Sequence, residues 1–143
     1  MSLLNHSTTK EAEDTIGEIQ RMLSNYGVSA MMTEYYGRQV SAVSFRMNID
    51  GREMSFRMPC NWRGVFEILK YDMAIRPKFR TEEQAVRVAW RIIHTWFKAQ
   101  LALVEVNMVT IPQIFLPYTI MGDNRTLAEH VTEDPRFLLG PNQ

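Results

Sequence analysis

The side chains best suited to chemistry lie on one strip. Arg87, Arg91, His94 and Lys98 recur every three or four residues, which places them within about 60° of one another on a helix. A loop carrying Arg76, Lys78 and Arg80 leads into that strip. Guanidinium and ammonium groups arrayed in this way suit phosphate contacts. His94 would add a phosphate contact or an acid–base group. The plainer reading is a solvated ridge, with Arg87 paired to Glu83 one turn back and His94 an ordinary surface histidine.

No other set of residues assembles into a reaction centre. The chain has no glycine-rich phosphate loop, no G-x-S-x-G elbow and no pair of histidines at metal-ligand spacing. His6, His94 and His130 are far apart in sequence. Cys60 is the single cysteine, so it has no intramolecular disulfide partner and makes no zinc site alone. A lowered thiol pKa would require a helix N-terminus beside it; a buried, inert thiol is the expected state. Asp50 and Glu53 flank a tight turn without the further carboxylates and lysine of a nuclease site. The expectation is a non-enzymatic protein that needs no cofactor and no metal.

One long helix must position the strip. It reads from about Thr81 to Val106, opened by Thr81 and Gln84 at capping-box spacing. At about 100° per residue its apolar positions cover roughly 200°, wider than a surface helix shows. Such a helix has to be covered on two sides. An earlier helix opens with Thr8 and Glu11 as a second capping box, carries Ala12, Ile16, Ile19, Leu23 and Tyr26 at helical spacing, and stops at Gly27. Its acidic first turn suits the helix dipole.

Three strands lie between these helices. Asp50-Gly51 is a two-residue hairpin signal, and Gly37-Arg38 fits a type II′ turn. Counting outward from either turn puts Val43, Phe45 and Met47 on one face. The same count adds Val28, Ala30, Met32, Met54, Phe56 and Met58 to that face, which is assigned to the core. Ser29, Met31, Thr33, Tyr35, Ser44, Arg46, Ser55 and Arg57 fall on the opposite face. The tetrapeptide Ser-Phe-Arg-Met occurs at Ser44 and again at Ser55, and the register sets Arg46 opposite Ser55 and Arg57 opposite Ser44. Met31, Tyr35, Arg46 and Arg57 therefore form an alternative interaction face. Ten methionines are many for 143 residues. Methionine adapts to irregular partners, but most of these fall on the core face and read as core filling.

Past Pro59, a short helix from Trp62 to Tyr71 is expected with Asn61 as its cap. After Met108 come a helical turn starting at Thr110 or Ile111, a turn at Gly122-Asp123-Asn124, and a last short helix from about Thr126 to Thr132. The chain reads as a single α+β domain over residues 1–143, loosely ordered near 1–7 and 134–143.

Bulk composition narrows the partners. Hydrophobic content is 45% and charged content 22%, ordinary for a globular chain. No apolar run reaches the roughly 20 residues of a membrane span, and the first ten residues lack a signal-peptide pattern. A cytoplasmic protein of a bacterial host cell, without a membrane partner, is the expectation. Net charge is zero but unevenly laid out. Residues 1–36 carry two basic against five acidic side chains, residues 37–100 twelve against six, and residues 101–143 two against five. The basic middle is either a nucleic-acid footprint or the complement of its own acidic ends, and the second reading weighs slightly the heavier.

Two resemblances follow. The order helix, three-stranded meander, helix is similar to the double-stranded-RNA-binding domain in topology only. That family's lysine-rich approach to its last helix would fall after Met58, where this chain has Pro-Cys-Asn-Trp-Arg-Gly, with Arg63 its sole basic residue. The run Ala85 to Gln100, then Phe115-Leu116-Pro117-Tyr118 and Gly122-Asp123-Asn124-Arg125-Thr126-Leu127, resembles small uncharacterised proteins of bacteriophages and prophages. The meander ending in Phe56-Arg57-Met58-Pro59 fits the same pattern. That likeness implies kinship and carries no catalytic residue across. The reading is an accessory protein of phage or prophage type. It contacts nucleic acid, or a nucleic-acid-processing complex, through the basic ridge, and reversing Arg87 and Arg91 should weaken that binding without unfolding the chain. The alternative is a protein-interaction module, such as an inhibitor of a host or anti-phage defence enzyme, using the outer sheet face or self-association.

Overall fold

The computed structural model describes residues 2–134 and Arg136. Helix α1 spans Ala12–Ser24. The strands are β1 (Val28–Tyr36), β2 (Gln39–Ile49) and β3 (Arg52–Pro59). Helices α2 (Trp62–Tyr71), α3 (Glu82–Glu105), α4 (Ile111–Phe115) and α5 (Leu127–Glu133) follow. The sheet is antiparallel in the order β1-β2-β3. The architecture is therefore α+β, a meander flanked by helices.

Helix α3 is the centre of packing. The Thr81 hydroxyl accepts from the Gln84 N–H, closing half of the expected capping box. The other half is absent. The Gln84 amide instead donates to the carbonyls of His6 and Thr8 at 2.8 and 2.9 Å. Those bonds, with Leu3 against α3 and its neighbours and His6 edge-on to Phe79, hold the N-terminal segment that the sequence leaves loose. The capping box expected at Thr8 does not form, because the Thr8 hydroxyl accepts from the Lys10 N–H and the Thr8 N–H donates to the Asn5 carbonyl. Helix α1 starts four residues later, with Glu11 at its N-cap position and no side-chain cap bond.

Each side of α3 has its own cover. Val86, Ala89, Trp90, Phe97 and Leu101 join Ile16, Ile19 and Leu23 of α1 and the inner sheet residues Val43, Phe45, Met47, Phe56 and Met58 in one core. Ala85 and Val88, on the other side, meet Leu69 of α2 and Ile75. The apolar arc read from sequence is thus covered twice. Fully burying one such side chain is worth about 1.5–3 kcal/mol. Asn61 caps α2 by accepting from the Gly64 N–H, as expected.

The β2–β3 register follows the turn count, with Val43 opposite Met58, Phe45 opposite Phe56 and Met47 opposite Met54. Asp50 and Gly51 both hold positive φ, +52° and +84°, the pattern of a type I′ turn. A Cβ on Gly51 would meet no atom within 4 Å. Gly51→Ala should therefore cost about 1 kcal/mol through the backbone alone. An unchanged urea midpoint would remove that φ from the account.

The β1–β2 register departs from the count. It breaks between Glu34 and Tyr35, where β2 has an extra residue at Ser41, and again between Val28 and Ala30, where β1 has an extra residue at Ser29. Between these bulges the strand is turned over. Met31 and Thr33 lie opposite Phe45 and Val43 on the inner face, and Met31 packs on the core. Ala30, Met32 and Glu34 occupy the outer face instead.

The C-terminal segment closes the remaining side. Thr110 and Gln113 form a complete capping box for α4, which delivers Ile114 and Phe115 to the core. Thr119 bridges Phe56, and the Ile120 N–H donates to the Ser55 carbonyl at 2.8 Å, so this segment covers the outer edge of β3. Thr126 caps α5. The expected loose tail lies, apart from Asp134 and Arg136, outside the described residues.

Candidate functional site

The basic strip on α3 faces α1. Arg87 Nε lies 3.2 Å from Glu11 Oε1, and its Nη1 donates to Gln84 Oε1 rather than reaching Glu83. Arg91 Nη1 donates to Glu18 Oε2 at 2.8 Å and lies 3.4 Å from Thr15 Oγ1. His94 is buried, its Nε2 3.9 Å from Glu18 Oε1. Three of the four strip residues thus form the polar part of a helix–helix seam. The expected solvated ridge holds only for Lys98, which stays exposed. The acids of α1 serve this pairing as well as the helix dipole.

The seam sets two ionisations. Burial raises the Glu18 carboxyl, but Arg91, Lys10 and His94 outweigh it and hold the group below its usual range. Burial lowers the His94 imidazole, and the charge of Arg91 pushes the same way. A histidine depressed in the folded state binds fewer protons there than in the unfolded chain. Its contribution is complete above about 6.5 and is lost as pH falls through that value toward the folded pKa. The urea midpoint should decline as pH falls below about 6.5, and His94→Asn should flatten that decline. An equal slope in both proteins would acquit His94.

The connector residues behave differently. Arg76 and Lys78 are exposed on the 3-10 turn Pro77–Phe79 and its flank, with the Lys78 ammonium 4.9 Å over the Phe79 ring. Arg80 Nη1 reaches Met73 Sδ at 3.5 Å. Cys60 is buried, its N–H donates to the Ser41 carbonyl, and burial pushes its thiol up to about 12. Folded protein should leave this thiol unmodified by a disulfide reagent at mildly alkaline pH, and urea should expose it. Rapid labelling without urea would contradict its burial. His130 Nε2 lies 3.0 Å from Asp123 Oδ1, a bond that holds the Asp123 carboxyl below its usual range. Among the described residues no group of three or more His, Cys, Asp or Glu could hold a metal ion. Nor is any described helix long and apolar enough to cross a membrane.

The outer sheet face carries a groove of about 340 Å³. Small side chains line it across the three strands: Ala30 of β1, Ser44 of β2 and Ser55 of β3. Met32 and Ile120 flank it. Arg57 lies opposite Ser44, as the repeated tetrapeptide implies, and fixes one end. Its Nη1 and Nη2 donate to the Asn124 carbonyl and side chain, both at 3.0 Å. Its Nε stands 3.4 Å from Glu34 Oε2, near enough for an ion pair but off line for a hydrogen bond. Arg46, at the other end, pairs with Glu53 at 3.3 Å. Ser44 is only 7% exposed and its hydroxyl makes no hydrogen bond.

The alternative face is thus partly reassigned. Arg46, Arg57 and Met32 line the groove, while Met31, though it also borders the groove, packs on the core. Tyr35 lies opposite Val40, in phase with Met31 and Thr33, and is exposed at the end of the strand. Glu34, Asn124 and Ile120 belong to the groove and were not singled out by sequence, because the Ser41 bulge and the return of the chain along β3 bring them there.

Comparison with known proteins returns no matching family, no matching curated protein and no matching solved structure. The groove must therefore be read from its own chemistry. The small side chains that line it admit a close-lying backbone. The Ser44 hydroxyl can donate to a carbonyl or accept from an amide. Glu34 and Arg46 supply an acceptor and a donor at its rim.

Proposed function

We propose that this protein is a non-enzymatic protein-interaction module that takes an extended segment of a partner protein along the outer sheet face. The Ser44 hydroxyl carries the reading. A buried polar atom without a partner costs about 1–3 kcal/mol; the Ser44 hydroxyl is such an atom just beneath the groove that Ser44 lines, and a turn about its side-chain bond would bring it to a peptide amide or carbonyl lying there. Met32 and Ile120 offer apolar contacts on either side. The likeness to phage and prophage proteins makes a host enzyme a natural partner, with this chain as its inhibitor.

A second reading is contact with nucleic acid. The exposed cations Arg76, Lys78 and Lys98 favour it, and the pairing of Arg87 and Arg91 with α1 weakens it. A strip and loop with only these three exposed cations should release single-stranded or duplex probes once salt approaches the physiological range.

The experiment is a pull-down from host lysate with three proteins: the wild type, Ser55→Trp, and Arg76→Glu with Lys78→Glu. A groove partner is recovered in stoichiometric amount, resists nuclease, is lost with Ser55→Trp and survives the charge reversal. Recovery that nuclease abolishes, and that the reversal but not Ser55→Trp removes, would replace the groove with nucleic-acid contact.

A further inference from the structure

The groove occupies the face of the sheet; the edge poses a separate question. The two edges are treated differently. Thr119 and Ile120 lie along β3, but among the described residues no strand lies along the outer edge of β1. Open edges invite pairing and are usually blunted by lysine, proline or inward charge. Val28–Tyr36 contains no proline and no basic residue. Its one charge, Glu34, is drawn back over the sheet toward Arg57. Bulges can also blunt an edge, but here they fall at Ser29 and at Ser41 and leave Ala30–Glu34 in uninterrupted register.

We infer that β1 is the self-association edge of this protein, where a second copy pairs antiparallel about a two-fold axis at Met32 to make a six-stranded sheet. Three features of the strand identify the second copy as the partner. The uninterrupted stretch is centred on Met32, so an isologous pair uses all of it. On the outer face Met32 meets Met32 of the second copy. It is 56% exposed in the single chain, and the pairing buries it. Ala30 lies opposite Glu34 of the second copy. Because Arg46 is the sheet neighbour of Ala30, that Glu34 comes within two strand spacings, about 10 Å between Cα atoms, of an Arg46 now paired only with exposed Glu53. Long side chains span that distance once the Glu34 carboxylate turns from Arg57, which keeps its two bonds to Asn124, and the two-fold axis makes the exchange twice.

The pairing shares Ala30, Met32, Glu34 and Arg46 with the groove, but the oligomeric state of purified protein tests it without any groove partner present. Sedimentation equilibrium of purified protein should show a dimer. Met32→Lys sets like charges against each other across the axis and should yield a folded monomer, its urea midpoint equal to that of wild type diluted below the dimer's dissociation. Met32→Cys tests the geometry directly. Opposed residues of an antiparallel pair stand about 4.5–5.5 Å apart, within disulfide reach, so mild oxidation should give a covalent dimer. Tyr36→Cys should not cross-link, because its counterpart across the axis is Val28. A wild type that stays monomeric at every concentration, with no Met32→Cys cross-link, overturns the proposal. So does a dimer that persists in Met32→Lys, or one in which Tyr36→Cys cross-links as readily.

Discussion

Phe115→Ala should lower stability by about 3–5 kcal/mol, a large share of the roughly 5–15 kcal/mol that holds a domain folded. Phe115 is fully buried. Its ring lies 5.0 Å from Phe45 and 5.4 Å from Phe56 in the sheet, and 5.9 and 5.7 Å from Trp96 and Phe97 on α3. It is the ring through which α4 joins strand to helix. Truncation removes aromatic contacts with both layers and leaves a cavity that rigid neighbours on regular elements are poorly placed to fill. Leu116→Ala is the matched control, because the adjacent side chain is 51% exposed and should cost under about 1 kcal/mol. Urea unfolding of both variants decides the matter. A Phe115→Ala cost no larger than that of Leu116→Ala would mean that α4 packs as an appendage and the core closes without it.

That wedge was only partly legible in the sequence. The apolar run after Met108, broken by prolines, marks a segment packed on the main helix, but nothing local names Phe115 as its centre. Periodic elements read better. Helix α3 and the β2–β3 hairpin stand where the capping threonine, the uninterrupted apolar arc and Asp50-Gly51 place them. The β1 phase was illegible for a definite reason. A turn at Gly37 fixes only the pairs beside it, Tyr36 with Gln39 and Tyr35 with Val40. Past Ser41 the strand can take either phase, and the adjacent methionines Met31 and Met32 make both look alike. The bulge decides, and bulges leave little trace in one sequence. The groove shares that fate, since Met32 and Glu34 reach it only through the bulge, and Asn124 only through a fold-back of 67 residues to Arg57.

Arg91→Glu should destabilise the protein by about 2–3 kcal/mol, and adding Glu18→Arg should restore much of the loss. Sequence periodicity puts Arg91 on a ridge, where reversal would change binding and leave folding alone. The fold puts it in a seam, with its side chain 21% exposed and that of Glu18 29% exposed. Breaking a fully buried ion pair costs roughly 3–5 kcal/mol; water at the rim of this seam screens part of that. A glutamate at 91 would face Glu18 in place of the guanidinium that now holds its carboxyl low, and would leave Thr15 without its donor. Exchanging the two charges recovers the attraction with inverted sign, so the double-mutant cycle should show strong coupling. A solvated ridge predicts the opposite pattern, with small single effects and no coupling. The cycle therefore separates the two meanings of the uneven charge. If coupling is strong, the basic middle of the chain exists largely to meet its own acidic first helix. Only Arg76, Lys78 and Lys98 then remain from the original strip and loop to meet an outside partner.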